Sequence, residues 1–191
     1  MATQNSEIPA DLAEAIRFHG HLCPGLVIGY IATKAAMERL AAERSADEEL
    51  IAIVENDSCA VDAVQFFASC TVGKGNLFRL DHGKMVFTFA VRPSGRAVRM
   101  SLKHRTTPAQ VEQAPEGSPE RRELQIQYML QQPAEELFDI STETIDLPDT
   151  ASIYETKLCE QCGEMVMAPR TRNVGGKLLC IPCAQAAGRK G

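Results

Sequence analysis

The chain contains no tryptophan, and only 5% of its residues are aromatic, so its core must be built mainly from aliphatic side chains. No apolar run approaches the ~18 residues that a membrane-crossing helix needs. The opening segment, MATQNSEIPADLAEA, lacks the basic and then apolar regions of a secretory leader. A cytoplasmic protein is therefore expected. In a reducing compartment, seven cysteines point to metal binding or thiol reactivity rather than to disulfides. Several nucleotide and hydrolase signatures are also missing. TVGKGNLF does not have the glycine–lysine spacing of a P-loop, and there is neither a G-x-S-x-G elbow nor a dinucleotide fingerprint. A ferredoxin-type cysteine run is absent too, which argues against electron relay through iron–sulfur clusters.

What is present is ordinary for a globular protein: 45% hydrophobic and 24% charged residues in 191. That length suits one medium domain with a small appendage. The charge is uneven. Residues 157–191 carry six Lys or Arg against Glu160 and Glu164, a net +4, within a chain whose total is −5. Four thiolates on a divalent zinc would lower the tail to about +2, too little to indicate nucleic-acid binding.

Periodicity predicts an α+β fold, with helices packed on a sheet that contains antiparallel strands. Helices are expected over 9–18, from Pro24 to about Arg44, over 59–70 and from Ser118 to Pro133. A buried strand is expected at LIAIVEND (50–57). Two further strands, 84–92 and 98–103, are joined by a turn at Pro93-Ser94-Gly95. Residues 105–117 read as loop, PAEELFDI as a short helical turn, and 140–156 as a link. The domains are expected at 1–150 and 151–191.

The tail reads Cys159-x₂-Cys162-x₁₇-Cys180-x₂-Cys183. Two residues between thiolates let one tight turn present both sulfurs to a tetrahedral ion at ~2.3 Å. Gly163 follows the first pair, Gly175-Gly176 can tip a hairpin, and the second pair opens a final helix. Knuckle, hairpin and helix in that order resemble a treble clef. About 35 residues cannot bury enough apolar surface to fold without a staple. The four cysteines are thus expected to hold a structural zinc in a closed shell.

The other concentration of ligating side chains is FHGHLCPG (18–25), with His19, His21 and Cys23 at alternate positions. In an extended segment these share one face. Cys23, just before Pro24, falls at an N-cap position, where free backbone N–H groups favour a thiolate. Cys59 sits at the start of the third helix in the same way, after ENDS. Cys70 lies about 16 Å further along a continuous helix and is a secondary candidate. Asp57, Asp62 and Gln65 are placed to support ligands by hydrogen bonds. Lys74 and Asn76 are placed on a loop expected to approach the site. His82 and His104 read as ordinary surface histidines. Mixed nitrogen and sulfur donors suit zinc, ahead of nickel or iron.

FHGHLCPG, ENDSCAVDAVQ and SCTVGKGNLFRLDHGKMVFTF, in that order, resemble the FmdE family over roughly residues 11–140. That family takes its name from a subunit of formylmethanofuran dehydrogenase. The tail resembles a treble-clef unit appended to part of the family. The resemblance implies an α+β core, a tightly associated or intertwined homodimer, and metal at His19, His21, Cys23 and Cys59, with Cys70 as a further possibility. The parent enzyme's molybdenum or tungsten pterin chemistry has no place in so short a chain. The expected function is that of a metal-binding accessory or stand-alone relative, serving a small ligand or a partner metalloenzyme. The rival expectation is a zinc-finger regulator or adaptor that binds nucleic acid or protein while the core senses a metal or metabolite.

Overall fold

The computed structural model describes residues 8–104 and 108–188, which fall into two compact units divided between Thr150 and Ala151. Arg189 and Lys190, counted in the tail charge, lie outside the described residues, as do residues 105–107 of the expected loop.

The first unit begins with two helices, α1 (Ala10–His19) and α2 (Pro24–Leu40). Gly20 ends α1 in the left-handed region at φ 99°, and its N–H reaches the Ile16 carbonyl at 2.7 Å. Glycine takes that conformation without a Cβ clash. Pro24 occupies the first position of α2, where a missing N–H costs nothing. The strand β1 (Leu50–Val54) follows, then α3 (Ala60–Ala68). Next come β2 (Leu77–Arg79), β3 (Val86–Val91) and β4 (Arg96–Leu102). The turn between β3 and β4 uses a cis Arg92–Pro93 bond and Gly95 at φ 68°. The unit closes with α4 (Ala109–Gln113), α5 (Pro119–Leu130), α6 (Ala134–Leu137) and β5 (Phe138–Thr144).

The fold is α+β, as expected. Five strands form one mixed sheet in the order β2-β1-β3-β4-β5, with β1 and β2 parallel and the other pairs antiparallel. Phe87, Phe89, Val98 and Met100 bury themselves against Ala32, Ala36, Ala60 and Val64 of α2 and α3. Each phenylalanine so buried contributes about 1.5–3 kcal/mol.

Three elements differ from the sequence reading. Phe138–Thr144 is a strand, where a helical turn and a link were expected. Its register on β4 is set by Phe138 opposite Leu102 and Ile140 opposite Met100. The PAEEL segment before it carries the helix signal and obscures the change of period. Leu77–Arg79 pairs with β1 over three residues, too few for periodicity to register. Ala109–Gln113 is a short helix inside the expected loop. Helix α2 also stops at Leu40, short of Arg44, because Ala41 turns left-handed at φ 48°.

Helix α2 crosses the start of α3 at very short range. A Cβ on Gly29 would lie 2.2 Å from the Ala60 carbonyl oxygen, and one on Gly25 would lie 3.1 Å from the Cys59 Cβ. The first of these contacts is with backbone, which cannot move aside.

The second unit pairs β6 (Thr156–Leu158) with β7 (Met165–Met167) and β8 (Thr171–Val174) with β9 (Lys177–Cys180), and ends in α7 (Ile181–Gly188). Gly175 and Gly176, at φ 59° and 81°, form the tip between β8 and β9. Among the described residues its buried apolar cluster is Cys159, Leu179 and Cys180.

Replacing Gly29 by Ala should destabilise the protein by about 3 kcal/mol, because overpacking against backbone outweighs the ~1 kcal/mol gained in helix propensity. Gly25→Ala should cost less, since its neighbour is one side-chain carbon. Urea denaturation of both variants checks the order; a stabilised Gly29→Ala protein would contradict the close crossing.

Candidate metal centre

The α2–α3 crossing sets two helix starts side by side. Cys23 is the N-cap of α2, with extended backbone at φ −146°, and its Sγ accepts the Leu26 N–H at 3.4 Å. Cys59 is the N-cap of α3. His19 is the last residue of α1, and the Gly20 turn swings the chain so that His21 comes back beside it, ring centroids 4.5 Å apart. The expectation of a plain extended segment is therefore corrected. A helix end, a left-handed glycine and an N-cap bring His19, His21 and Cys23 together.

One donor atom from each of His19, His21, Cys23 and Cys59 lies within 4.8 Å of the others. Four such donors on one tetrahedral ion stand about 3.3–3.8 Å apart. The His19 Nε2 to Cys23 Sγ separation, 3.9 Å, is close to that value. The opposite ring nitrogen, His19 Nδ1, is 2.7 Å from the Asp62 carboxylate. Gln65 Nε2 in turn donates to Asp62 at 3.2 Å. A carboxylate on Nδ1 fixes the ring and leaves Nε2 as the free donor. Three of the four residues are buried or half-buried, whereas His21 is exposed. Burial, and then the neighbouring Cys23 thiol, push the Cys59 pKa above the ordinary thiol value. A cation at this point would reverse that preference.

Other sequence candidates lie elsewhere. Cys70 is fully buried, with its Sγ against the Leu50 carbonyl at 3.3 Å, and burial pushes its pKa up to about 12. Lys74 Nζ bonds the Ser45 carbonyl at 2.7 Å. Asn76 is buried and donates to the Leu50 and Asp47 carbonyls. These residues tie down the far end of α3 and do not approach the His/Cys group. Asp57 pairs with Arg79 at 3.1 Å instead of with a ligand. His82 pairs with Glu55 at 2.9 Å.

In the second unit, donor atoms of Cys159, Cys162, Cys180 and Cys183 likewise lie within 4.8 Å of one another. Cys162 and Cys180 sulfurs are 3.9 Å apart, against ~3.8 Å for two thiolates on one zinc. Gly163, at φ 75°, closes the first knuckle by donating to the Cys159 carbonyl at 2.9 Å. Backbone N–H groups of Cys162 and then Cys180 point at the Cys159 sulfur and lower its pKa to about 6. Cys183, crowded first by Cys180, is pushed up to about 12. One thiolate is thus favoured while its neighbours resist a second negative charge. A divalent ion resolves that conflict, so the residues fit zinc.

Comparison with known proteins identifies two segments of the chain. The family described as "FmdE, Molybdenum formylmethanofuran dehydrogenase operon" matches residues 18–145, and the prokaryotic dksA/traR C4-type zinc finger matches residues 152–187. The chain belongs to the FmdE family and carries a C4-type zinc-finger segment after the family's core domain. A curated relative from Archaeoglobus fulgidus, named "Probable S-adenosyl-L-methionine-binding protein", is 33% identical over 96% of this chain. The chain spans about half (55%) of that relative's length. Among solved structures, an FmdE-like protein of the tungsten formylmethanofuran dehydrogenase type, from Syntrophus aciditrophicus, shares the fold. Its TM-score is 0.69 at 24% identity, covering 98% of both chains.

Iodoacetamide labelling of the native, chelator-treated protein should leave Cys70 unmodified at a pH where Cys162 is alkylated, read by peptide mass mapping. Cys70→Ala should leave the metal content unchanged; a loss of metal would put Cys70 back among the ligands.

Proposed function

We propose that the protein is a metal-binding accessory or stand-alone member of its family, with one ion in the core and one structural zinc in the tail. His19 Nε2, His21, Cys23 and Cys59 hold the core ion. Cys159, Cys162, Cys180 and Cys183 hold the tail zinc. The observation that carries the core reading is the Asp62–His19 hydrogen bond, because it points a fixed imidazole nitrogen toward Cys23 Sγ. Two nitrogen and two sulfur donors favour zinc in the core as well, ahead of nickel or iron.

The two sites differ in access. The tail offers four sulfurs and a closed shell, as structural zinc requires. In the core, exposed His21 is the donor that an incoming ligand can replace. The bound ion supplies a Lewis acid, or a cargo that can be passed on. The chain's own residues do the rest. Asp62 and Gln65 hold the His19 ring, and the two N-caps place the thiols. A homodimer and a metalloenzyme partner, in the cytoplasm, complete this reading.

A second reading has one observation in its favour. Leu158, Met165 and Met167 of the β6–β7 pair are all more than half exposed. An exposed apolar strand face suits an adaptor that docks on a protein more than it suits a nucleic-acid reader.

Elemental analysis should find two metal ions per chain. Cys59→Ser should remove one and Cys180→Ser the other, while each variant retains its remaining ion. Finding a single zinc that depends only on the tail cysteines would end the core proposal. Asp62→Asn should weaken core metal affinity ~10–100-fold with unchanged circular dichroism. For the adaptor reading, binding to duplex DNA should be absent even at low salt; a steep salt-dependent affinity would favour a nucleic-acid reader.

A further inference from the structure

A second concavity in the first unit shares no residue with the His/Cys group. It is bounded by α1, α2, the C-terminal end of α3 and α5, and encloses about 790 Å³. That is within the ~300–1,000 Å³ of small-molecule sites. Its floor is aromatic. Tyr30 lies 5.0 Å from Phe67, and Phe66 meets Phe67 edge-on at 5.0 Å. Two cations sit over these rings. Lys34 Nζ is 6.0 Å from the Phe67 centroid, and the Arg44 guanidinium is 5.6 Å from that of Phe66.

The charged lining residues divide into a satisfied pair and an unsatisfied one. Lys34 binds Asp11 at 3.0 Å, and the Tyr30 hydroxyl donates to the same carboxylate at 3.3 Å. Burial works to raise the Asp11 pKa, but Lys34, the Leu12 amide and Tyr30 together hold it below the usual value. Burial and Asp11 push Tyr30 up to about 12, so it remains a hydrogen-bond donor. These three groups form a finished wall. Arg44 and Glu38 also line the cleft, yet neither has a carboxylate or cationic partner among the described residues.

We propose that this cleft binds a small zwitterion bearing a planar ring, with its carboxylate on Arg44, its ammonium on Glu38 and its ring against Phe66 and Tyr30. The four charged lining residues sum to zero, two cations and two carboxylates. A ligand of one charge sign therefore gains little from the cleft's field, whereas separated charges of both signs match the two free partners. A guanidinium takes a carboxylate in a two-point hydrogen bond. The half-buried rings of Phe66 and Tyr30 add apolar contact at little conformational cost. The site is independent of the metal reading. Phe66 does follow Asp62 by one turn of α3, so an occupied cleft would adjoin the carboxylate that holds His19.

The absence of tryptophan from the chain supplies a clean test. L-Tryptophan, L-tryptophanamide (no carboxylate) and indole-3-propionate (no ammonium) are titrated against the full-length protein, following the probe's own fluorescence. L-Tryptophan should shift to the blue and saturate. The amide and the propionate should each bind about tenfold more weakly, a loss of ~1.4 kcal/mol. Arg44→Gln and Glu38→Gln should each remove that discrimination for their own half of the ligand. Both residues are exposed, and circular dichroism confirms that the variants fold. Equal binding of the three probes, absence of saturation, or affinity unaltered by both substitutions would overturn the assignment. So would loss of binding as the protein self-associates in sedimentation, which would mean that a second copy covers the cleft.

Discussion

The close crossing of α2 over α3 governs the first unit. Gly25 and Gly29 have no side chains, and only for that reason does the start of α2 rest on the Cys59–Ala60 backbone. The consequence is chemical as well as architectural. Each of these helices begins with a cysteine, and the crossing brings the two beginnings together. The sheet behind them, packed through Phe87, Phe89, Val98 and Met100, fixes both helices so that the pairing of their ends does not depend on any ligand. The histidines come from a third direction, the end of α1, with Gly20 making the turn.

Polar residues around the group are shared out with little redundancy. Asp62 and Gln65 serve His19, while Asp57 is taken up by Arg79 and His82 by Glu55. At the opposite end of α3, Ser45, Lys74 and Asn76 satisfy backbone carbonyls and hold the chain that leads into β2. The same helix thus has one end at the His/Cys group and one structural end, and the cleft lined by Phe66 and Phe67 lies at the latter.

Much of this was legible in the sequence because it rests on local rules. Pro24 after Cys23, and Ser118 before Pro119, announce helix starts that the structure contains, with Ser118 Oγ accepting the Arg121 N–H at 3.1 Å. The spacing of the tail cysteines and the Gly175-Gly176 tip need no long-range information. The gathering of Cys59 with residues 19–23 is different. Each N-cap is readable by itself, and resemblance to the family supplied the pairing. Lys74 and Asn76 were misplaced because sequence cannot tell which end of α3 a following loop returns to. Strands β2 and β5 were missed because three-residue pairing and a helix-rich approach leave almost no period-two signal. Nothing local announces the cleft, whose lining comes from four separate helices.

The buried cluster of the tail consists of two cysteines and one leucine, whereas the core's clusters are built almost wholly from side chains that bind nothing. The two units therefore stand in opposite relation to a scarce nutrient. A cell starved of zinc would still accumulate the larger unit in native form, while the smaller one would be exposed to proteases. Supply of the element would then govern how long the appendage survives, while the rest of the molecule stands without it.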